Sequence, residues 1–132
     1  MRLLTAALGF AFLWVVQPCI LLAEDGQIIL YRGKGYEGLV NPLIRPQAWL
    51  DGMSVGKCIK GEKITLPVAP GVHVLSTTSE SPNDFEVVIG EGETVCVRCT
   101  ISVGIIAPNF TLSRDDPEKC AAVIKKMRPQ KG

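Results

Sequence analysis

Cys96 and Cys99, in the segment VCVRCT at residues 95–100, have the C-x-x-C spacing of redox and metal sites. A thiol–disulfide enzyme needs the first cysteine at a helix N-terminus, which lowers the thiol pKa, and a zinc site holds C-x-x-C on a tight turn. Residues 94–103 instead alternate apolar and polar side chains, which predicts a half-buried β-strand. The two thiols are therefore predicted to point to opposite faces of that strand.

The first 23 residues differ from the rest of the chain and predict export. Arg2 precedes an apolar run at residues 3–23, and Glu24 opens a polar sequence. This is the layout of a signal peptide, and cleavage is expected between Ala23 and Glu24. Two alternatives stay open, because the same run is long enough to remain as an uncleaved membrane anchor and Cys19 could carry a lipid.

Four cysteines follow the leader, and an even count in a small exported domain predicts disulfide bonds. They are Cys58, Cys96, Cys99 and Cys120. Cys96 and Cys99 are about 10 Å apart along a strand, whereas a disulfide needs Cα atoms within about 7 Å. Cys99 and Cys120 both lie on apolar faces, so we predict Cys99–Cys120 with Cys58–Cys96. Cys96–Cys120 with Cys58–Cys99 is the second choice among three possible pairings.

Length and charge exclude several classes of function. Removing residues 1–23 from the 132 leaves 109, enough for a single domain at 24–132 with a modest core. Without Arg2 the 14 basic residues become 13, which match the 13 acidic ones. A nucleic-acid-binding surface needs a basic face with interleaved aromatics, so no nucleic-acid partner is expected. A membrane contact is expected only through a possible N-terminal anchor.

No residue set predicts a catalytic, cofactor or metal site, so we do not expect an enzyme. His73 is the single histidine and no nucleophile stands near it in a recognisable motif, which favours a structural or surface role over a catalytic one. The glycines of GKGYEG at 33–38 have the spacing of a dinucleotide fingerprint. Pro42 and Pro46 follow closely, however, and prevent the helix that would have to meet the pyrophosphate.

Short apolar segments separated by turns predict a mainly β protein. The predicted strands are 27–32, 47–50, 53–59, 63–68, 72–78, 85–89 and 94–103. Asp51-Gly52 is the strongest hairpin signal, since both central positions of a type I′ turn need a positive φ. The predicted fold class is a small antiparallel β-sandwich of six to eight strands with one C-terminal α-helix.

That C-terminal helix is predicted at about 117–128. Asp116 suits the N-cap and Pro117 the first helical position. Four apolar side chains fall at i, i+3, i+4 and i+7, so they are expected to form one stripe that packs on the sheet. They are Cys120, Val123, Ile124 and Met127.

The order of these pieces resembles the domain-of-unknown-function family numbered 2846, with more distant similarity to PEGA-type surface modules. The similarity covers about residues 26–112. The segments that carry it are Tyr31-Arg32, Leu50-Asp51-Gly52 with Gly56, Pro70-Gly71-Val72-His73, and Gly92-Glu93-Thr94 with Val97-Arg98. Aromatic residues usual near the late strand of that family are replaced here by Cys96 and Cys99. The resemblance implies an exported bacterial envelope protein with a β-sandwich fold, and it brings no catalytic residue.

These observations together predict an exported, periplasmic or envelope-associated binding or accessory module without catalytic activity. Its partner would be an unknown protein or another envelope component, and no cofactor is expected. Two alternatives stay open, namely a thiol–disulfide redox protein that uses Cys96 and Cys99, and a structural subunit that pairs through an exposed edge strand.

Overall fold

Two sheets pack face to face, and one helix lies on the outer surface of the larger sheet. The computed structural model describes residues 9, 11, 14–15, 23–34, 43–78, 84–102 and 109–131. The elements are β1 (Gly26–Tyr31), β2 (Gln47–Leu50), β3 (Met53–Lys57), β4 (Glu62–Val68), β5 (Gly71–Thr77), β6 (Phe85–Ile89), β7 (Thr94–Ser102), β8 (Asn109–Arg114), α1 (Pro117–Lys126) and β9 (Arg128–Pro129).

The larger sheet has five strands in the order β8-β7-β1-β4-β9, and the smaller has four in the order β3-β2-β5-β6. This confirms the predicted small β-sandwich with a single C-terminal helix. Two pairings, β1 with β7 and β4 with β9, are parallel, so the larger sheet is mixed. The described residues form nine strands rather than the predicted six to eight, and β8 and β9 are the two that were not predicted. The alternation of the buried Phe110 and Leu112 is the sequence signal for β8.

The predicted type I′ hairpin joins β2 to β3. Asp51 has a φ of 50° and Gly52 a φ of 81°, as both central positions of this turn require. The register places Leu50 opposite Met53 across the turn. The turn chemistry at this site was therefore readable from two residues.

The larger sheet is covered on both faces, and this divides the core into two clusters. In β1, Ile28 and Leu30 face the smaller sheet, whereas Ile29 and Tyr31 face α1. None of these four side chains is more than 3% exposed. A strand buried on both faces is a continuous apolar run without alternation, which explains the sequence IILY.

Local capping rules determine where α1 begins. The Asp116 side chain accepts a hydrogen bond of 2.8 Å from the Lys119 amide, and Pro117 occupies the first turn. The helix ends at Lys126, two residues before the predicted end. Ile124 is 41% exposed, so the predicted four-residue stripe is wrong at that position. Of the four predicted residues, only Cys120, Val123 and Met127 pack against the larger sheet, because the sheet contacts a narrow strip of the helix surface.

Backbone hydrogen bonds fix the chain just after α1 against the larger sheet. The Arg128 amide donates to the Gly61 carbonyl at 3.2 Å, and the Gln130 amide donates to the Lys63 carbonyl at 2.9 Å. The Lys63 ammonium also donates to the Ile124 carbonyl at 2.6 Å. These contacts hold the last turn of the helix, and the side chains it carries, at a fixed distance from β4.

Candidate binding groove beside the disulfide-linked helix

The C-x-x-C cysteines point to opposite faces of β7, as the alternation predicts. Cys96 forms a disulfide with Cys120 of α1, with Cα atoms 5.3 Å apart. Cys99 lies between the two sheets and is 1% exposed. Cys96 and Cys99 are thus not brought together as a redox or metal pair.

The preferred disulfide pairing, Cys99–Cys120 with Cys58–Cys96, is wrong, since the structure links Cys96 to Cys120. Cys120 faces inward from the helix, as expected, but α1 covers the outer face of the larger sheet rather than the face that meets the smaller sheet. The cysteine of β7 that α1 meets is therefore Cys96.

Cys58 and Cys99 carry thiols in this structure and lie together in the core between the sheets. The Cys58 thiol forms a hydrogen bond with Cys99, and this bond together with burial raises the Cys58 pKa far above the usual range. Such a thiol is a poor nucleophile, because the thiolate is the reactive form.

A groove of about 420 Å³ runs between α1 and the ends of β1 and β7. The helix supplies one wall with Val123 and Met127, and the sheet supplies the other. The remaining described lining residues are Tyr31, Gly33, Arg98, Cys99, Thr100, Lys119, Ala122 and Lys126. The disulfide joins α1 to β7 beside this groove.

Two side chains, Tyr31 and Asp115, hold the Arg98 cation at the edge of this groove. The Tyr31 hydroxyl donates a hydrogen bond to the Asp115 carboxyl and accepts one of 3.0 Å from Arg98 Nε. Arg98 Nη2 lies 3.3 Å from Asp115 Oδ2, and its guanidinium stands 5.7 Å from the centre of the Tyr31 ring. Burial raises the pKa of Asp115 above its ordinary value, while the nearby Lys119 opposes this change. The Arg98 guanidinium is therefore held in one orientation.

The described lining of the groove contains three cations, Arg98, Lys119 and Lys126, and no carboxylate. Two of them have acidic partners just outside the lining, since Arg98 pairs with Asp115 and Lys119 Nζ lies 4.0 Å from Asp116 Oδ2. Both cations stay partly exposed, at 42% for Arg98 and 63% for Lys119. An open groove with an apolar wall and exposed cations suits a ligand that carries both apolar and acidic groups.

A second polar pair lies outside the described groove lining, where the β2–β3 turn meets β5. His73 Nδ1 lies 2.7 Å from Asp51 Oδ2, and His73 Nε2 lies 2.6 Å from the Ala69 carbonyl. Both ring nitrogens face acceptors, so both contacts are hydrogen bonds only when the imidazole is protonated. The hydrogen bond to Asp51 raises the His73 pKa, and the same bond lowers the Asp51 pKa. The pair joins two structural segments, in agreement with the structural role predicted for His73.

This pair should make stability depend on pH in a defined window. Because the folded His73 pKa is raised, its contribution is complete below the unfolded value of about 6.5 and is lost as the pH rises through the folded pKa. Because the folded Asp51 pKa is lowered, its contribution is complete above about pH 3.9 and is lost as the pH falls through the folded pKa. We therefore expect the pair to stabilise the protein most between these two values.

Titration of the single histidine by NMR tests this directly. In the Asp51→Asn variant the His73 pKa should fall toward its ordinary value. Asparagine tolerates the positive φ at this turn position and keeps an oxygen for the Val74 amide, which donates to Asp51 at 2.8 Å. An unchanged His73 pKa in this variant would show that the carboxylate does not stabilise the imidazolium.

Several predictions fall outside the described residues. Of the predicted leader, positions 9, 11, 14, 15 and 23 are described, and Cys19 is not. Ala23 and Glu24, at the predicted cleavage site, are both exposed. The described part of the chain has no helix long and apolar enough to cross a membrane. It also has no cluster of three His, Cys, Asp or Glu side chains suited to a metal ion.

Sequence reasoning missed the groove residues Tyr31 and Arg98, their partner Asp115, and also the buried Arg32. Arg98 stands inside the C-x-x-C and carried a usable signal, since a charge on the polar side of a buried strand needs a partner. Nothing local indicates that the partner lies 17 residues later, at Asp115.

Comparison of the chain with family models, with curated proteins and with solved structures finds no match.

Proposed function

We propose that the chain is an exported, envelope-associated binding or accessory module without catalytic activity, and that its groove holds an acidic segment of a partner protein. The observation that carries this proposal is the groove itself, which places three cations beside an apolar wall. An open groove between a helix and the ends of two strands suits an extended peptide, whose side chains can alternate between the wall and the cations.

Export is supported by the disulfide and by the leader. Disulfides persist in oxidising compartments and are rare in the cytosol, and Cys96–Cys120 fastens the only helix of the described residues. The apolar run at residues 3–23 after Arg2 has the layout of a signal peptide. The resemblance to envelope proteins, drawn from the motifs of β1, β2, β5 and β7, agrees with this placement.

The geometry does not favour the redox alternative. A dithiol enzyme needs two thiols that reach each other and an accessible thiolate. Cys96 is bonded to Cys120, and Cys99 is buried on the opposite face of β7. The accessory module is therefore the better interpretation of the same residues.

Site-specific photo-cross-linking in cells that export the chain tests the groove. A photoreactive residue at Ala122, which lines the groove, should capture a partner. The same residue at Ala121, which is exposed and outside the groove lining, should not. The captured peptide is expected to be acidic. Equal capture from both positions, or a basic peptide, would contradict the proposal.

Charge reversal on the helix provides the matched comparison. Lys126→Glu places a carboxylate in the groove, so capture from Ala122 should fall about tenfold, since an attraction becomes a repulsion worth roughly 1.4 kcal/mol. Lys125→Glu makes the same change at the neighbouring exposed position, outside the groove lining. Both substitutions remove a cation from the last turn, so any loss of helix stability is shared. Equal losses in the two variants would exclude the groove as the binding surface.

A further inference from the structure

We propose that Cys58 and Cys99 are the site of a second disulfide, which forms while the chain folds in an oxidising compartment and joins the two sheets through the core. Cys58 follows β3 of the smaller sheet, and Cys99 lies in β7 of the larger one. The two side chains are 3% and 1% exposed and belong to the same core cluster.

The two thiols are neighbours in the core. Both side chains lie in the same cluster between the sheets, and interaction with Cys99 is the largest cause of the raised pKa of the Cys58 thiol. A disulfide shortens such a contact, and rotation about the Cα–Cβ bonds supplies small changes of this kind. Unlike Cys96 and Cys99, which point to opposite faces of β7, Cys58 and Cys99 point into the same core cluster.

Backbone contacts hold both cysteines in place. The Cys58 amide donates to the Pro46 carbonyl at 2.8 Å, and the Cys58 carbonyl accepts from Arg32 Nη1 at 3.4 Å. Cys99 stands opposite Leu112 in the β7–β8 ladder. The contact between the thiols is thus a feature of the folded backbone.

An oxidising compartment also favours a bond between Cys58 and Cys99. The same strand already carries an oxidised cysteine, Cys96, bonded to Cys120. An oxidant able to close that bond reaches Cys58 and Cys99 too, before the sheets close over them. Once the sandwich has formed, both thiols are shielded and unreactive.

The chemistry is thiol–disulfide exchange with a small-molecule or protein disulfide as the oxidant. One cysteine thiolate attacks a sulfur of that disulfide, which breaks its S–S bond and releases one thiolate. The second cysteine thiolate attacks the mixed disulfide, forms the Cys58–Cys99 bond and releases the other thiolate. Two cysteine thiols lose two electrons and two protons, and the oxidant disulfide becomes two thiols.

The resulting protein has two crosslinks that leave one strand on opposite faces. Cys96–Cys120 fastens α1 to the outside of the larger sheet, and Cys58–Cys99 fastens the larger sheet to the smaller one. All three layers are then covalently joined through β7. Each cysteine of the C-x-x-C forms its own crosslink, since residues three apart on a strand point to opposite faces.

Tryptic mapping without reduction decides the pairing, because trypsin separates all four cysteines. Cleavage after lysine and arginine places them in the peptides 58–60, 64–98, 99–114 and 120–125. The full chain, refolded in a buffer of reduced and oxidised glutathione and alkylated under denaturing conditions, should give 58–60 joined to 99–114 and 64–98 joined to 120–125. Alkylation of both Cys58 and Cys99, or a joined pair of any other composition, would overturn the proposal.

Timing and thermal stability give independent readouts. Chain folded first in reductant and then given oxidised glutathione should keep both buried thiols, whereas chain refolded in the same buffer should lose them. In the Cys58→Ala/Cys99→Ala variant, the difference in Tm between refolding with and without oxidant should be smaller than in the unaltered chain by more than about 10 °C. An equal difference in both chains would count against the second bond. If the variant does not fold, the peptide map of the unaltered chain still decides.

Discussion

The double substitution Cys96→Ala/Cys120→Ala is expected to lower the free energy of unfolding by about 3 kcal/mol. The bond closes a loop of 24 residues in sequence separation, and crosslinking such a loop removes that much conformational freedom from the unfolded chain. The loss matters because domains of this size are stable by roughly 5–15 kcal/mol. Denaturant unfolding of both chains in non-reducing buffer measures the difference.

Loss of the disulfide should destabilise α1 more than it destabilises the rest of the protein. The smaller core cluster contains five buried residues, two of which are the bonded cysteines. Without the bond, α1 is held by Val123, Met127 and the backbone contacts after it. Amide hydrogen exchange across α1 should therefore accelerate more than exchange in β1 and β4, which lie in the centre of the larger sheet.

Reductant provides the control for the lost side-chain packing. When the disulfide of the unaltered chain is opened, the two chains differ by their thiol groups alone, so their stabilities should converge to within about 1 kcal/mol. If the free energies of unfolding of the variant and the unaltered chain differ by less than about 0.5 kcal/mol in non-reducing buffer, the bond adds no stability.

Replacing Arg32 with alanine is the second large prediction, with an expected loss of about 3 kcal/mol or more. Arg32 is 0% exposed and is among the largest fully buried side chains of the described residues. Its Nη1 donates to the Ile44 carbonyl at 2.5 Å and to the Cys58 carbonyl at 3.4 Å. Alanine removes these donors and leaves a cavity, and each change is destabilising on its own.

Arg32→Met separates these two contributions. Methionine fills most of the arginine volume with a flexible apolar side chain, so its cost reflects mainly the carbonyls that lose a donor, about 1–3 kcal/mol. Alanine should therefore be clearly worse than methionine. Thermal unfolding of the two variants measures the order, and equal Tm values for both variants and the unaltered chain would contradict a structural role for this arginine.

The carbonyl of Cys58 links this prediction to the core thiols. Arg32 fixes the Cys58 carbonyl, and Cys58 in turn contacts Cys99. Loss of Arg32 should thus loosen the segment between β3 and β4, where the residues 58–61 connect the two sheets. The burial of the Arg32 charge could not be predicted from the dipeptide Tyr31-Arg32, because a charged residue at a strand end is usually exposed.

Much of the local structure was readable from short patterns. The alternation over 94–103 predicted β7 and the opposite directions of Cys96 and Cys99. Asp51-Gly52 predicted the hairpin turn, and Asp116-Pro117 predicted the start of α1. Each of these depends on neighbours along the chain, where the period of two, the positive φ and the capping side chain act within a few residues.

Short sequence patterns could not predict β9 or the pairing of β1 with β7, because both depend on residues that are distant in the sequence. β9 has two residues and pairs with β4 from the far end of the chain, so it has no pattern of its own. The parallel pairing of β1 with β7 joins strands about 67 residues apart. Pairings of this kind depend on where whole elements pack, and no local rule specifies them.

The sequence predicts that the thiols of Cys96 and Cys99 point to opposite faces of β7, because side chains alternate along any strand. The face that α1 covers depends on how the helix packs in three dimensions, and this packing pairs Cys120 with Cys96 rather than with Cys99. The apolar run IILY in β1 already required cover on both faces. The smaller sheet covers one of them and α1 the other, so the helix had to bond to the outward cysteine.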